Sequence, residues 1–535
     1  MVINLNSTQK YFFNAFLLSL VALVMRGVSV SFNVYISGKV GAEGMGLLTL
    51  CGGVYGFLIT LATSGINMAV VRLVSCALPE ENLRKANKNS SRRVQKIMKN
   101  AIFYCLFFGL IASFILFISA DNIAVFLLKD ARAGSCLRLM SFSLLPISIC
   151  SALNGYFYAV RRVYKNVISQ ICEQGFKIFV VISLLLTIAP RGVEYACIAV
   201  VGGGALAEGI GVVVSGVLYL IDRARHYEKG PKKEGNVAKN DVFDARVIPI
   251  ALPVAVSAYA RSALSTIEHL LIPWGFRKNG TDTSGALASY GILHGMVVPL
   301  LLFPSAILGS FSSLLVPELS SAFANKNEAK IKSIVSRVFD ASLLFSLGVS
   351  GIFICFSSEL GIYIYNSEQA SLYIRLLAPL IPLMYLDGAV DATLKGLGHQ
   401  LYTMRVNIVD SLLSVAFIVV LLPIFGIKGY VAVIFITELI NTTFSILKLL
   451  EVTSVSTPIG KWILRPIVSV VLATIVSRFI FNLPLFSSFK GKLFTFVELG
   501  FTGALYILFS CLTNAINKSD LSFYKGIFKL KGSKK

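Results

Sequence analysis

Residues 289–322, SYGILHGMVVPLLLFPSAILGSFSSLLVPELSSA, decide how the rest of the chain folds. From Tyr290 to Val316 the stretch has 27 residues and no formal charge, whereas a helix needs roughly 20 apolar residues to cross a bilayer. It therefore predicts a membrane span. Pro299 and Pro304 lie inside it, and each removes a backbone donor and crowds the preceding turn, so the helix should bend there. Lipid tolerates broken helices only where protein or a water-lined cavity satisfies the freed carbonyls, so this span should line the interior of a bundle.

The composition excludes a soluble globular protein. Hydrophobic residues make up 56% of the 535 residues and charged residues only 14%, whereas about 25% of a soluble domain is charged. The nine cysteines form no Cys-x-x-Cys pair and the four histidines do not cluster. The sequence therefore predicts no metal site, no disulfide framework and no cofactor. We expect an all-α, polytopic membrane protein.

Apolar windows predict about fourteen membrane spans. They cover residues 11–37, 46–77, 97–119, 137–160, 166–189, 193–221, 246–275, 287–316, 337–357, 371–395, 401–422, 429–450, 464–481 and 491–514. The first window is too long for the core of a signal peptide, so it predicts a retained span. With the N-terminus placed inside, cytoplasmic segments hold 33 Lys and Arg residues and the opposite segments hold 9. Because basic residues collect in short cytoplasmic loops, both termini should be cytoplasmic, and the net charge of +22 requires no nucleic acid partner.

A polar segment, residues 222–245, separates six predicted spans from eight. In each part a span that starts with tyrosine carries a carboxylate, a proline follows that span, and the next span carries a glutamate. These residues are Tyr164, Glu173, Pro190 and Glu208 in the first part and Tyr402, Asp410, Pro423 and Glu438 in the second. The pattern indicates a duplicated unit. We predict two six-helix lobes around a central cavity, 1–221 and 246–450, a cytoplasmic linker over 222–245, and a C-terminal helix pair with a basic tail over 451–535.

Ionisable side chains inside the spans are the main chemical signal, because each costs about 2.5 to 3.5 kcal/mol at the bilayer centre unless it faces a cavity or a partner. Arg26 and Arg261 lie midway along the first spans of the two lobes, and Arg72 lies nearer the end of span 2. Two guanidinium groups would suit bidentate binding of a pyrophosphate. The alternative is a structural ion pair of Arg261 with Glu268, two turns away on one face. His294 is either a hydrogen-bonded core histidine or a cavity residue.

Two pairs of residues have the (i, i+4) spacing that places both on one helix face. Glu173 and Lys177 either neutralise each other or take part in ion coupling. Asp387 and Asp391 carry like charges, which is unfavourable unless a cation or a proton relieves it. They either form a site for Na⁺ or H⁺, or Asp391 reaches the cytoplasmic surface beside Lys395.

Several motifs occur together in this chain. They are Gly41-Ala-Glu-Gly-Met-Gly-Leu-Leu, Thr63-Ser-Gly-Ile-Asn-Met-Ala-Val-Val-Arg-Leu-Val-Ser75, Tyr290-Gly291, Gly295-Met296, Pro299-Leu300, Phe303-Pro304, Leu315-Val316-Pro317-Glu318, and Leu394-Lys-Gly-Leu-Gly398 with its continuation to Gly426-Ile-Lys-Gly-Tyr430. Over most of the chain they resemble the stage V sporulation protein B family. That family belongs to the multidrug/oligosaccharidyl-lipid/polysaccharide flippase superfamily and is related to the lipid II flippases.

The resemblance implies a transporter and not an enzyme. It implies a flippase that moves a lipid-linked oligosaccharide or a peptidoglycan precursor across the bacterial cytoplasmic membrane by alternating access, in cell-wall or spore-cortex formation. The implied partners are a polyprenyl-linked saccharide, membrane lipids, and enzymes of cell-wall or spore-envelope synthesis. Lipid II flippases carry essential arginines in their first, second and eighth spans, and Arg26 and Arg72 match the first two. Span 8 has His294 and no arginine, and Asn33 stands where many relatives have a second basic residue in span 1.

Two other functions are open from the residues alone. A multidrug or organic-cation antiporter of the same superfamily would need a cavity with excess carboxylate, which the number of acids within spans favours and Arg26 and Arg261 oppose. A membrane glycosyltransferase or lipid phosphatase would need acidic or histidine clusters on a sizeable external loop, whereas the predicted external loops are short.

Overall fold

The computed structural model describes residues 7–78, 88–226, 247–455, 460–483 and 491–516. Within these ranges all regular elements are helices. They are α1 (Ser7–Thr63), α2 (Ile66–Ala77), α3 (Lys88–Asn122), α4 (Arg132–Ala159), α5 (Tyr164–Ile188), α6 (Val193–His226), α7 (Val247–Lys278), α8 (Thr283–Tyr290), α9 (Val298–Leu302), α10 (Ser305–Ala324), α11 (Glu328–Cys355), α12 (Ser357–Tyr365), α13 (Glu368–Leu377), α14 (Ile381–Gly396), α15 (Gln400–Thr453), α16 (Arg465–Phe481) and α17 (Lys492–Leu512), with short π and 3₁₀ segments between some of them. The predicted linker beyond His226 and the predicted basic tail lie outside the described residues.

In the described part of the chain, eleven helical stretches are long and apolar enough to cross a membrane. Two of them, which contain α1 and α15, are far longer than one crossing requires. Each holds one glycine with non-helical backbone angles, Gly41 in α1 and Gly426 in α15. These glycines divide the two helices where the sequence separates spans 1 and 2 and spans 11 and 12. The all-α polytopic fold is confirmed, whereas the number of about fourteen spans stays a prediction.

Helix packing groups the chain into two compact units, one of residues 1–38 and 292–535 and the other of residues 39–291. The 39–291 unit has a core of α2, α3, α4 and α6 side chains that includes the buried Tyr156 and Phe157. The other unit has a core in which Phe339 stacks on Trp462 at a centroid distance of 4.8 Å. The proposed lobe boundary at residues 222–245 stays a prediction.

The predicted break in span 8 is confirmed. After α8 the chain forms a π-helical segment, Gly291–Val297, and α9 then ends at Leu302. Helical structure resumes as α10 at Ser305, directly after Pro304. Pro299 lies in the first turn of α9 and cannot donate to the carbonyl of Gly295, four residues earlier in the chain. The interruption therefore falls at Pro304, while Pro299 is accommodated.

Side chains from other helices of the 1–38 and 292–535 unit satisfy carbonyls along this irregular stretch. The amide of Asn33 donates to the carbonyl of Gly295 at 2.8 Å. The hydroxyl of Tyr365 donates to the carbonyl of Met296 at 2.8 Å. Further along, the buried Tyr385 donates to the carbonyl of Leu301 at 2.5 Å. Irregular backbone at membrane depth requires such partners, because lipid offers none.

A second break lies where the sequence predicts one span over residues 46–77. Helix α1 ends at Thr63 and α2 starts at Ile66, because Ser64 and Gly65 both have positive φ angles, 40° and 69°. The hydroxyl of Tyr104 donates to the carbonyl of Ser64 at 3.1 Å. A serine with left-handed backbone angles is unfavourable without such support. A Ser-Gly pair inside an apolar run does not by itself predict a helix break.

Two glycines of the quoted motifs allow two helix backbones to touch. A Cβ at Gly46 would lie 2.0 Å from the carbonyl oxygen of Leu287. A Cβ at Gly291 would lie 2.2 Å from the carbonyl oxygen of Ala42. Any side chain at either position would force the backbones apart, which explains why these positions are glycine.

We expect Gly46→Ala to lower the thermal unfolding midpoint of the purified chain, because an added methyl group against backbone costs about 1 to 3 kcal/mol. Gly52, on the same helix, has no atom within 4 Å of its Cβ position, so Gly52→Ala is the matched control. Alanine favours the helix by up to about 1 kcal/mol. The Gly52 variant should therefore be as stable as the natural chain or more so, and equal midpoints for both variants would contradict the close approach.

The predicted C-terminal helix pair packs on α11. Tyr506 of α17 lies against Gly348 and donates to the carbonyl of Leu344 at 2.6 Å. Arg478 of α16 pairs with Glu359 of α12 at 2.5 Å. A contact of α17 with α11 and an ion pair of α16 with α12 therefore hold this helix pair in the 1–38 and 292–535 unit.

Candidate functional site

The three arginines predicted as cavity residues are alike in their exposure and in their lack of polar contacts. Arg26 of α1, Arg72 of α2 and Arg261 of α7 are all exposed. None of them forms a hydrogen bond or an ion pair with another residue in the part of the chain that the structure describes. The alternative ion pair of Arg261 with Glu268 is therefore not among the contacts of Arg261. Glu268 itself is half-buried, one residue before His269.

Arg26 lies beside the broken span. A Cβ on the next residue, Gly27, would be 3.6 Å from the ring of Phe303. Arg26 also interacts electrostatically with Tyr385, the residue that donates to the carbonyl of Leu301. An uncovered guanidinium thus stands next to the interruption at Pro304, within one packing unit.

His294 lies in the π-helical segment of span 8. It is half-buried and hydrogen-bonded to the hydroxyl of Tyr430, a fully buried residue of α15. This matches the core-histidine alternative. Its assignment as a cavity residue stays a prediction.

The two aspartates of α14 differ in their contacts. Asp391 forms an ion pair with Lys395 at 3.3 Å and accepts a hydrogen bond from Asn407 at 3.3 Å. Its charge is therefore compensated near the end of the helix, as one of the two alternatives required. Asp387, one turn earlier, interacts electrostatically with Asp391 and Lys395. It also interacts with Glu438 of α15, which in turn interacts with Asp410.

Buried polar oxygens surround Asp387, Asp410 and Glu438, a set we call the α14–α15 carboxylates. The Oδ1 atoms of Asp387 and Asn441 are buried and have no hydrogen-bond partner among the described residues. The hydroxyls of Ser445 and Thr442 on α15 lie within hydrogen-bonding reach of Asp387 and Glu438, respectively. Asn441 is only 6% exposed, and Ser445 and Thr442 are 1% exposed. Buried oxygens normally find donors, so these acceptors suit a proton or a small monovalent cation.

The described residues contain no group of three His, Cys, Asp or Glu side chains arranged to hold a metal ion. The α14–α15 carboxylates are therefore not spaced as ligands around one divalent metal.

A second group lies between α5 and α6 in the 39–291 unit. Glu173 and Lys177 project from α5 and Glu208 from α6, and all three are half-buried. Glu173 and Lys177 form no ion pair within 4.0 Å among the described contacts, and both alternatives for them, mutual neutralisation and ion coupling, stay predictions. Lys177 instead interacts electrostatically with both Glu173 and Glu208. We call these three residues the α5–α6 triad.

The buried charge of Asp222 was not predicted, because the sequence pattern places this residue in the polar linker. Helix α6 continues to His226, and Asp222 is 0% exposed. Its carboxylate pairs with Arg162 and Lys165 and accepts a hydrogen bond from Tyr156 at 2.7 Å. The Arg161-Arg162-Val-Tyr-Lys165 turn reads as an ordinary cytoplasmic basic loop, so no sequence signal pointed to this contact.

Known proteins with similar sequences indicate the family of this chain. The family described as "Polysaccharide biosynthesis protein" matches residues 12–323. Stage V sporulation protein B of Bacillus subtilis (strain 168) is 24% identical over 428 residues, which cover 79% of this chain and 80% of that protein. Lipid II flippase MurJ of the same organism is 24% identical over 385 residues, covering 68% of this chain and 67% of that protein.

Solved structures agree on the fold. A structure of lipid II flippase MurJ in an inward closed conformation has a TM-score of 0.64 at 12% identity, covering 97% of this chain and 100% of that chain. An inward-facing multidrug resistance MATE family transporter of the MOP superfamily has a TM-score of 0.58 at 14% identity, covering 80% of this chain and 96% of that chain. These relatives are flippases and transporters, not enzymes. This chain belongs to the polysaccharide biosynthesis protein family and has the fold of lipid II flippase MurJ and of a MATE family transporter of the MOP superfamily.

Proposed function

We propose that the chain is a flippase that moves a lipid-linked oligosaccharide or a peptidoglycan precursor across the bacterial cytoplasmic membrane by alternating access. The observation that carries this proposal is the set of exposed arginines, Arg26, Arg72 and Arg261, which form no hydrogen bond or ion pair with another described residue. An unpaired arginine at membrane depth is costly. A pyrophosphate would give each guanidinium a bidentate anionic partner, while the polyprenyl tail stays in lipid.

The relatives support the same substrate class. One is a sporulation protein and another is a lipid II flippase. We propose that the chain acts in cell-wall or spore-cortex formation, alongside the enzymes that make and use the lipid-linked precursor. Its spans then contact membrane lipids, and no nucleic acid takes part.

The test is flipping by the purified chain in vesicles that contain a polyprenyl-pyrophosphate disaccharide. We expect protein-dependent exposure of the saccharide to a sugar-modifying enzyme added outside. An organic-cation antiporter is the second candidate, because the α14–α15 carboxylates supply the excess negative charge that it would need. Proton-driven release of a cationic dye without saccharide movement would favour that candidate and contradict the flippase.

We propose that the α14–α15 carboxylates couple transport to Na⁺ or H⁺. Asp387→Asn should make transport in vesicles independent of the Na⁺ and pH gradients, because the group then carries one charge fewer to hold the ion. Glu451 of α15 is 69% exposed and pairs with Lys448, so Glu451→Gln is the control and should keep gradient dependence. Unchanged gradient dependence in the Asp387 variant would exclude this role.

We also propose that both termini are cytoplasmic, on the basis of the 33 to 9 distribution of Lys and Arg between the two sides. Lys278 ends α7 and is exposed. A single cysteine placed there in a chain without its natural cysteines should react with a membrane-impermeant maleimide in intact cells. Labelling only after the cells are opened would reverse the orientation.

A further inference from the structure

Each of two helix hairpins carries a carboxylate on both arms, and the two hairpins echo each other in sequence. In the first, α5 with Glu173 and α6 with Glu208 are joined through Gly192, whose φ is 131°. In the second, the two parts of α15 with Asp410 and Glu438 are joined through Gly426, whose φ is 55°. The hairpins therefore present comparable carboxylate pairs.

The third charged member differs in sign. In the α14–α15 carboxylates the third member is Asp387, so all three groups are acids. In the α5–α6 triad the third member is Lys177, and it acts on both acids. Lys395 also acts on Asp387, but it is already paired with Asp391, whereas Lys177 belongs to the triad itself.

Two glycines of α6 lie against the side chains of Lys177 and Glu173 on α5. A Cβ at Gly204 would lie 3.7 Å from Cε of Lys177, and a Cβ at Gly211 would lie 2.6 Å from Oε2 of Glu173. Gly204, Glu208 and Gly211 recur at intervals of four and three residues, which places them on one face of α6. Glu208 therefore stands between the two α5 side chains, where the ammonium group of Lys177 acts electrostatically on both carboxylates.

The remaining groups around the triad are uncharged at neutral pH. Tyr55 and Cys150 interact electrostatically with Glu208, and Cys150 also with Glu173. The hydroxyl of Tyr55 is hydrogen-bonded to Ser143 at 2.5 Å. Among the described groups that act on these two carboxylates, Lys177 is thus the one that supplies positive charge. Two carboxylates at membrane depth without a cation are strongly unfavourable.

We propose that Lys177 is a tethered counterion that occupies the place of a monovalent cation between Glu173 and Glu208. A chain without this ammonium group acquires a site for Na⁺ or a proton at the same carboxylates. The comparison with the α14–α15 carboxylates rests on the proposed ion coupling, but the α5–α6 geometry does not. The natural chain then has one ion-responsive carboxylate group, and its second group is neutralised permanently.

The experiment measures thermal unfolding of the purified full chain in detergent, in NaCl and in choline chloride at equal ionic strength, and in choline chloride at pH 5.5 and pH 8. Lys177→Met should respond to Na⁺, or to the lower pH, with a midpoint increase at least about 2 °C larger than that of the natural chain. Lys177→Arg retains a tethered cation and should respond as the natural chain does. Lys177→Met with Glu208→Gln should also return to the natural response, because one carboxylate has been removed.

Equal responses of Lys177→Met and the natural chain to both Na⁺ and pH would overturn the proposal. If Lys177→Met alone does not fold, Glu173→Gln is added to it. Recovery of a folded chain supports the counterion role, and continued failure overturns it. Flipping is not the readout, so a chain that moves no saccharide would contradict the proposed function while the midpoint shifts still decide this inference.

Discussion

Replacing Arg26 and Arg261 together by alanine should reduce flipping of a polyprenyl-pyrophosphate saccharide by at least about 100-fold, because hydrogen bonds to charged groups are worth about 1.5 to 3 kcal/mol each. Both side chains are exposed and form no ion pair within the described part of the chain. If the two arginines had only a structural role, the alanine variants would therefore lose little flipping activity. The measurement is the initial flipping rate in vesicles, normalised to the amount of folded protein.

Several variants separate ligand binding from general damage. Arg26→Lys and Arg261→Lys keep the charge but lose the planar fork, so each should retain more activity than alanine and less than arginine. Arg375 of α13 is also exposed, and Arg375→Ala is the control that should leave the rate unchanged. Arg261→Glu combined with Glu268→Arg should stay inactive. Restored activity in that exchange, or full activity of the double alanine variant, would rule out pyrophosphate binding by these arginines.

Asp222→Asn should lower the free energy of unfolding by about 3 to 5 kcal/mol, because removing one partner of a buried ion pair leaves the other charges uncompensated. Asp222 is 0% exposed, and the side chains of its partners Arg162 and Lys165 are 15% and 8% exposed. The variant would leave the buried ammonium of Lys165 and the half-buried guanidinium of Arg162 without this carboxylate at the ends of α4, α5 and α6. Denaturant unfolding in detergent measures the loss.

The ion pair of Arg138 with Asp121 provides the matched control, since its side chains are 51% and 58% exposed. Exposed pairs contribute about 0 to 1 kcal/mol, so Asp121→Asn should change stability little. Adding Lys165→Met to Asp222→Asn should recover part of the loss, because one uncompensated cation is then removed. Equal losses for Asp222→Asn and Asp121→Asn would show that Asp222 is not an electrostatic centre of these helices.

The break in span 8 was predictable because a proline acts on its own backbone, whatever surrounds it. The break in span 2 was not, because a Ser-Gly pair adopts positive φ angles only where other helices satisfy its backbone, here through Tyr104. The same distinction applies to Asp387 and Asp391. Their spacing showed that they share a helix face, but not that Asp391 would pair with Lys395 or that Asp387 would interact with Glu438 of α15.

Three features follow from the residues alone: the helical membrane fold, the interruption at Pro304, and the presence of arginines and carboxylates inside spans. They do so because hydrophobicity, proline geometry and charge are properties of single residues or short segments. Which charges meet depends on the tertiary structure. Asp222 lies 57 residues from Lys165 and contacts it, and Glu208 of α6 stands between two side chains of α5. Such contacts depend on how one helix is rotated and shifted against another, and close packing of many side chains over the whole interface sets that rotation.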